Sequence, residues 1–201
     1  MNAIEAIYKR RAIKHFDPNH GMTAEEERQL LEATIQAPSS FNIQHWRFVI
    51  LRDPALRAKI REEIGNNQAQ MTDASLLVLF TADTKAWAKD PQRYWVNTPQ
   101  EVSNVLVGWM GAFHEGRDWL QRDEAQRSIG MAMQTLMIAA QELGYDSCPM
   151  VGFDLDKLAE WINLPEGYVM GPMVAIGKAL SPARPKPGQL PLSELVVDNS
   201  F

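Results

Sequence analysis

The stretch "ASLLVLFTAD", residues 74–83, limits the possible fold more than any other part of the chain. It is a nearly continuous apolar run bounded by polar residues. A strand with one wet face alternates apolar and polar side chains, so a run without alternation suits a strand buried on both faces. A second stretch, "SIGMAMQTLMIAAQEL" from Ser128 to Leu143, is apolar nearly all round and ends at Gly144, the signature of a core helix with a glycine C-cap.

The other elements fall around these two. Ile4, Ile7 and Tyr8 are at helical spacing, and that pattern stops at Lys9, Arg10 and Arg11. Thr23 with Glu26 forms a capping box ahead of the stripe Leu30, Leu31, Thr34 and Ile35, and Pro38 ends that helix. Trp46, Phe48 and Ile50 alternate as a strand, and Pro54 starts a helix predicted to reach about Ile64. "YDSCPM" and "VMGPMVAIG" read as strands separated by an amphipathic helix over 155–162. Residues 84–127 are helical in character, with little clear periodicity. The proline-rich tail "PARPKPGQLPLSELV" is expected to be extended, either free or pinned to another surface. Helices come first, then strands separated by long helical segments, which gives a layered domain of mixed α and β structure.

At 201 residues the chain is read as one domain, 1–201. Hydrophobic residues at 45% and charged residues at 22% argue against disorder. A net charge of −5 gives no field for nucleic acid, and no apolar run approaches the ~18 residues of a membrane span. The only cysteine, Cys148, can form no internal disulfide, which points to a reducing, cytoplasmic setting. No secretory signal opens the sequence. The glycine fingerprint of dinucleotide-binding folds, the P-loop, the zincin motif and the hydrolase elbow are all missing. The four histidines have no metal-ligand spacing, so no metal is expected.

Two features could carry chemistry. Arg10, Arg11 and Lys14 concentrate positive charge just past a helix in an acidic protein, and Arg184 with Lys186 could close on the same anion. A phosphate suits them, because guanidinium forks match its oxygens; solvated surface charge is the plainer reading. "SSFNIQ" at 39–44 and "NNQAQ" at 66–70 gather hydroxyl and amide groups that suit a flat polar heterocycle, or else cap their own backbone. Cys148 reads as a buried, inert thiol.

Taken in order, these pieces resemble the FMN-dependent nitroreductase family over essentially the whole chain. "RRAIKHFDP" is similar to that family's N-terminal basic segment, and "APSSFNIQHWRFVI" to its A-P-S-x-x-N-x-Q-P-W-x-F segment. "CPMVGFD" is similar to its P-x-x-G segment and "AIGKALSPARPKP" to its basic C-terminal ending.

The resemblance implies an α+β fold with a central mixed or antiparallel sheet flanked by helices. It also implies a homodimer with an interlocking C-terminal extension and FMN held at the interface by both chains. By the same resemblance Arg10, Arg11, Ala12 and Lys14 would border the phosphate and ring edge, joined by Arg184 and Lys186. Asn67 and Gln70 would meet the pyrimidine edge of the flavin, and Met150, Val151 and Gly152 would lie near its N5. Pro38, Ser39, Ser40 and Asn42 would reach the flavin from the partner subunit.

The implied activity is hydride transfer from NADH or NADPH through flavin N5 to nitroaromatic or quinone acceptors in a ping-pong cycle, with no side-chain acid or base. A flavin binder without turnover and a reductase of a specialised substrate, such as a halogenated compound or activated alkene, remain open. Three departures stand out. Ala12 replaces a frequent serine, His45 a frequent proline, and Val151 a glutamate found in some members.

Overall fold

The computed structural model describes residues 2–66 and 68–201. In chain order the regular elements begin with α1 (Ala3–Lys9), α2 (Ala24–Thr34), β1 (Trp46–Ile50), α3 (Pro54–Lys59), α4 (Gln70–Asp73) and β2 (Leu76–Asp83). They continue with α5 (Gln100–His114), α6 (Asp118–Glu142), β3 (Asp146–Met150), α7 (Leu155–Trp161), β4 (Tyr168–Gly177) and α8 (Leu192–Leu195). Short 3₁₀ turns lie at 40–42, 86–88 and 91–95.

The four strands form one antiparallel sheet in the order β1-β2-β4-β3. Every residue of β2 is buried, and its two faces serve two separate cores. Leu76, Val78, Phe80 and Ala82 pack with Leu30 of α2 and with Ala125, Ile129, Ala132 and Leu136 of α6. Leu77 and Leu79 pack on the other side with Ile60, Ile64, Met71 and Leu158. This period of two explains why the run does not alternate with polar residues from Leu76 to Phe80, since covering each such side chain contributes roughly 1.5–3 kcal/mol. Thr81 is buried too, with its hydroxyl donating to the Arg47 carbonyl at 3.0 Å.

Gly171 of β4 is what lets α6 come close to the sheet. A Cβ there would stand 2.9 Å from Ile129 Cγ2 and 3.0 Å from the Phe80 carbonyl oxygen. Gly144, at φ 74°, ends α6 as expected, and the Tyr145 N–H then closes on the Ala140 carbonyl at 2.8 Å. Thr23 and Glu26 form the expected capping box at the start of α2. The Thr23 hydroxyl and backbone N–H donate to the Glu26 carboxylate and hold its pKa down to about 2.

Two boundaries differ from expectation. The helix from Pro54 changes at Ile60 into a π turn over Ile60–Ile64. The central helix starts at Asp118 rather than Ser128. Its first turns are charged and self-paired, as in Arg127–Glu124, so the apolar signature appears only where the helix meets the sheet.

Candidate functional site

The segment after α1 is tied to the sheet by its backbone. Ile13 N–H donates to the Ser147 carbonyl at 3.0 Å, and Ala12 bridges Ser147 in parallel. Ile13 and Phe16 are buried. Lys14 lies on the exposed side of the segment, while Arg10 and Arg11 are half-buried where it leaves α1.

Those three side chains line a cavity of about 630 Å³ together with Ala12, Arg184 and Lys186, within the range of small-molecule sites. The tail is pinned there. Arg11 Nη2 donates to the Arg184 carbonyl, and Lys186 Nζ to the Tyr8 carbonyl at 3.4 Å. Five cations and no carboxylate line the cavity, in a chain of net charge −5. Arg10 Nη1 is buried with no hydrogen-bond partner among the described residues, a donor that a bound oxyanion would satisfy.

A polar file leads from this cavity toward the end of β3. Lys14 Nζ lies 3.5 Å from Cys148 Sγ, and Gln70 Nε2 approaches the same sulfur at 3.9 Å while donating to Gln68 Oε1 at 2.8 Å. Gln68 Nε2 and Asn66 Nδ2 donate to the Gly152 carbonyl at 3.4 and 3.0 Å. Burial pushes the Cys148 thiol up in pKa and the nearby Lys14 ammonium opposes that, so the sulfur is a buried neutral thiol rather than a nucleophile. Met150 is buried, while Val151 is 75% exposed and leaves its surroundings open. Asn67 lies outside the described residues.

Pro38, Ser39, Ser40 and Asn42 are elsewhere on the chain. Pro38 borders a shallow apolar groove on α6 with Arg127, Gly130, Met131, Gln134 and Thr135. The turn behind it has positive φ at Phe41, Asn42 and Gln44. Its polar groups are largely used locally. Ser39 Oγ accepts from the Gln44 N–H at 2.9 Å, and Asn42 Nδ2 donates to the Tyr94 carbonyl at 2.9 Å.

Within one chain, then, the basic residues share one cavity and the turn does not open on it. Gln134 lines both the cavity and the groove. Sequence reasoning passed over Gln134, although a lone amide inside "MAMQTLM" was a visible break in an apolar helix. It also passed over Asn66 and Gln68 individually, in a cluster it had marked only as a whole.

A profile of the nitroreductase family matches residues 7–178. Protein DrgA of Synechocystis is 63% identical over 201 residues, covering 98% of this chain and 95% of its own, and its name states no activity. YodC of Bacillus subtilis, named for an inferred NAD(P)H nitroreductase activity, is 30% identical over 199 residues, with 96% and 97% coverage. A protein of Exiguobacterium sibiricum, described as an inferred nitroreductase and solved in complex with FMN, superposes with a TM-score of 0.89. It is 27% identical, with 99% of this chain and 98% of that chain covered. Among the described residues no helix is long and apolar enough to cross a membrane, and no three His, Cys, Asp or Glu side chains group as metal ligands.

Proposed function

The chain belongs to the nitroreductase family, and from that premise we propose that it is an FMN-dependent oxidoreductase passing electrons from NADH or NADPH to nitroaromatic or quinone acceptors. The observation that carries the reading is the cavity with five cations, no carboxylate and a buried, unpartnered Arg10 Nη1. A flavin phosphate is the dianion it fits. The FMN complex of the Exiguobacterium neighbour and the name of YodC support cofactor and donor.

In this reading Arg10, Arg11, Lys14, Arg184 and Lys186 hold the phosphate. Asn67 and Gln70 serve the pyrimidine edge, with Gln68 keyed to Gln70. Asn66 and Gln68 fix the Gly152 carbonyl, which holds Met150, Val151 and Gly152 in place for a backbone N–H to meet N5. Bound FMN supplies hydride acceptance and delivery at N5. The chain's own part is to bind, orient and keep the slot dry, and no side chain acts as acid or base.

The apolar groove beside Pro38 and the separation of the turn from the cavity support a homodimer. In it Pro38, Ser39, Ser40 and Asn42 of each protomer reach the flavin of the other, and the exposed end of the tail, with Leu192, Leu195 and Phe201, interlocks with the partner.

The purified protein is expected to be yellow, to lose its flavin absorbance on addition of NADH or NADPH without oxygen, and to regain it with menadione or nitrofurazone. A protein that takes up no added FMN sinks the reading. One that binds FMN but shows no acceptor-dependent NAD(P)H oxidation is a flavin binder without turnover.

A further inference from the structure

Away from the cavity, unpartnered buried polar atoms collect behind the 39–44 turn. His45 Nε2, His114 Nε2 and Trp87 Nε1 are all buried with no hydrogen-bond partner among the described residues. Both histidines are 0% exposed. His45 follows the turn directly and fastens it to α6, with Nδ1 3.0 Å from Ser128 Oγ. His114 Nδ1 lies 2.8 Å from the Met110 carbonyl. A carbonyl only accepts, so that nitrogen carries the proton and Nε2 of the neutral ring is a bare acceptor.

The turn rests on this pair. The Phe41 ring meets His114 edge-on at 5.9 Å and 66°, and Trp87 stacks on His114 at 5.7 Å and 13°. Ile43, Ala86 and Met110 complete an apolar chamber. Phe41, Asn42 and Gln44 all hold left-handed φ between 48° and 55°, which side chains other than glycine keep only where their surroundings enforce it.

We propose that His45 is a positioning residue for the flavin: as a neutral imidazole bonded to Ser128 it holds the 39–44 turn in its flavin-facing shape. Protonation of His45, with that of His114 beneath Phe41, releases the turn. The proposal rests on the preceding reading, in which the turn contacts FMN across the dimer.

The charged groups around the pair leave the neutral form favoured. His45 faces His114 from α5 and Arg47 from β1, both of which oppose its protonation. Asp83 at the end of β2 favours it, but that carboxylate is already paired with Lys89 at 2.6 Å. The Met110 carbonyl and Glu124 of α6 both favour protonation of His114, though Glu124 is already paired with Arg127. Tyr94 in the same chamber is pushed up by burial and stays neutral. Burial dominates, taking His45 down to about 4 and His114 down as well.

A histidine in the released turn titrates near its ordinary ~6.5. The released state therefore binds more protons between about 6.5 and 4, so the closed turn is fully stable above that window and weakens as pH falls through it. From His45 alone the open-to-closed ratio rises by at most roughly 300-fold.

The test is the affinity of the apoprotein for FMN and for riboflavin from pH 8 to 4.5, read by flavin fluorescence, with hydrogen exchange at residues 40–46 as a second readout. Riboflavin is needed because the FMN phosphate itself titrates. Wild type is expected to lose affinity for both flavins as pH falls across this range, by at least about two-fold and, from His45 alone, by at most roughly 80-fold, and to lose exchange protection in the same window. His45→Gln, which can still bond Ser128 and does not titrate, is expected to flatten both curves. If His45→Gln does not fold, His114→Gln carries the test and must shrink the step.

An unchanged acid step in the variant that folds overturns the proposal, as does a turn equally protected at both ends of the range. An acid step in exchange without one in riboflavin affinity overturns it at the flavin contact, while flavin reduction by NAD(P)H would still uphold the enzyme reading.

Discussion

Around Arg10, five cationic side chains converge with no carboxylate between them and one guanidinium nitrogen left bare, whereas in the turn from Ser39 to Gln44 Ser39 and Asn42 are already hydrogen-bonded within the chain, to Gln44 and to the Tyr94 carbonyl. The first region is electrostatically incomplete and gains most from a charged guest. The second is conformationally complete, held by hydrogen bonds and by a buried histidine pair. The difference separates two tasks that a cofactor site must perform. The cavity contributes affinity that depends on a ligand charge, and the turn contributes shape that does not.

The largest expected effect breaks this contrast on the side of charge. Arg10→Ala removes a charge-assisted contact worth about 1.5–3 kcal/mol, so FMN affinity should fall roughly 10- to 150-fold, while riboflavin affinity changes by less than about three-fold. Titration of the apoprotein with both flavins is the measurement. Equal weakening of the two would place the phosphate elsewhere. Arg10 is a cleaner probe than Arg11, whose guanidinium also holds the tail at Arg184.

On the side of shape the flavin phosphate should be irrelevant. Ser39→Ala removes the acceptor for the Gln44 N–H and costs about 1 kcal/mol. In a chain of this size that is a melting shift of about 2–4 °C. Both flavins should weaken together, by a similar and smaller factor than FMN loses in Arg10→Ala. A loss confined to FMN would show that the turn, too, works through the phosphate.

How much of this was legible follows the same division. The cavity residues are a contiguous charge cluster and a basic pair in a proline-rich tail, and charge clustering survives in a linear sequence whatever the fold. β2 and the end of α6 were equally readable, because an unbroken apolar run and a glycine after an apolar helix have few structural meanings.

The turn was legible only as polarity. Its three left-handed residues are Phe, Asn and Gln, of which only Asn hints at such a backbone, and the burial of His45 and His114 depends on elements 69 residues apart in number. Residues 84–127 gave no period because α5 carries apolar side chains on its exposed side as well, with Val102, Val105 and Trp109 exposed, and because the first turns of α6 pair their charges among themselves.

Asn42 offers the finest test of whether the turn is held by conformation or by one hydrogen bond. It sits at φ 55° and donates to the Tyr94 carbonyl at 2.9 Å. Asn42→Ala and Asn42→Gly both delete that bond, at about 0.5–1.5 kcal/mol. Alanine adds a left-handed penalty of roughly 1–2 kcal/mol, which glycine does not incur. Glycine instead gives the unfolded chain more freedom to lose, at roughly 0.5–1 kcal/mol. The two costs nearly offset, leaving glycine the more stable variant by only about 0.5–1 kcal/mol, or a melting difference of about 1–4 °C. Alanine equal to or above glycine would mean that the backbone at 42 relaxes out of the left-handed region when its side chain is shortened. The turn's shape would then come from the Asn42–Tyr94 bond rather than from the chamber beneath it.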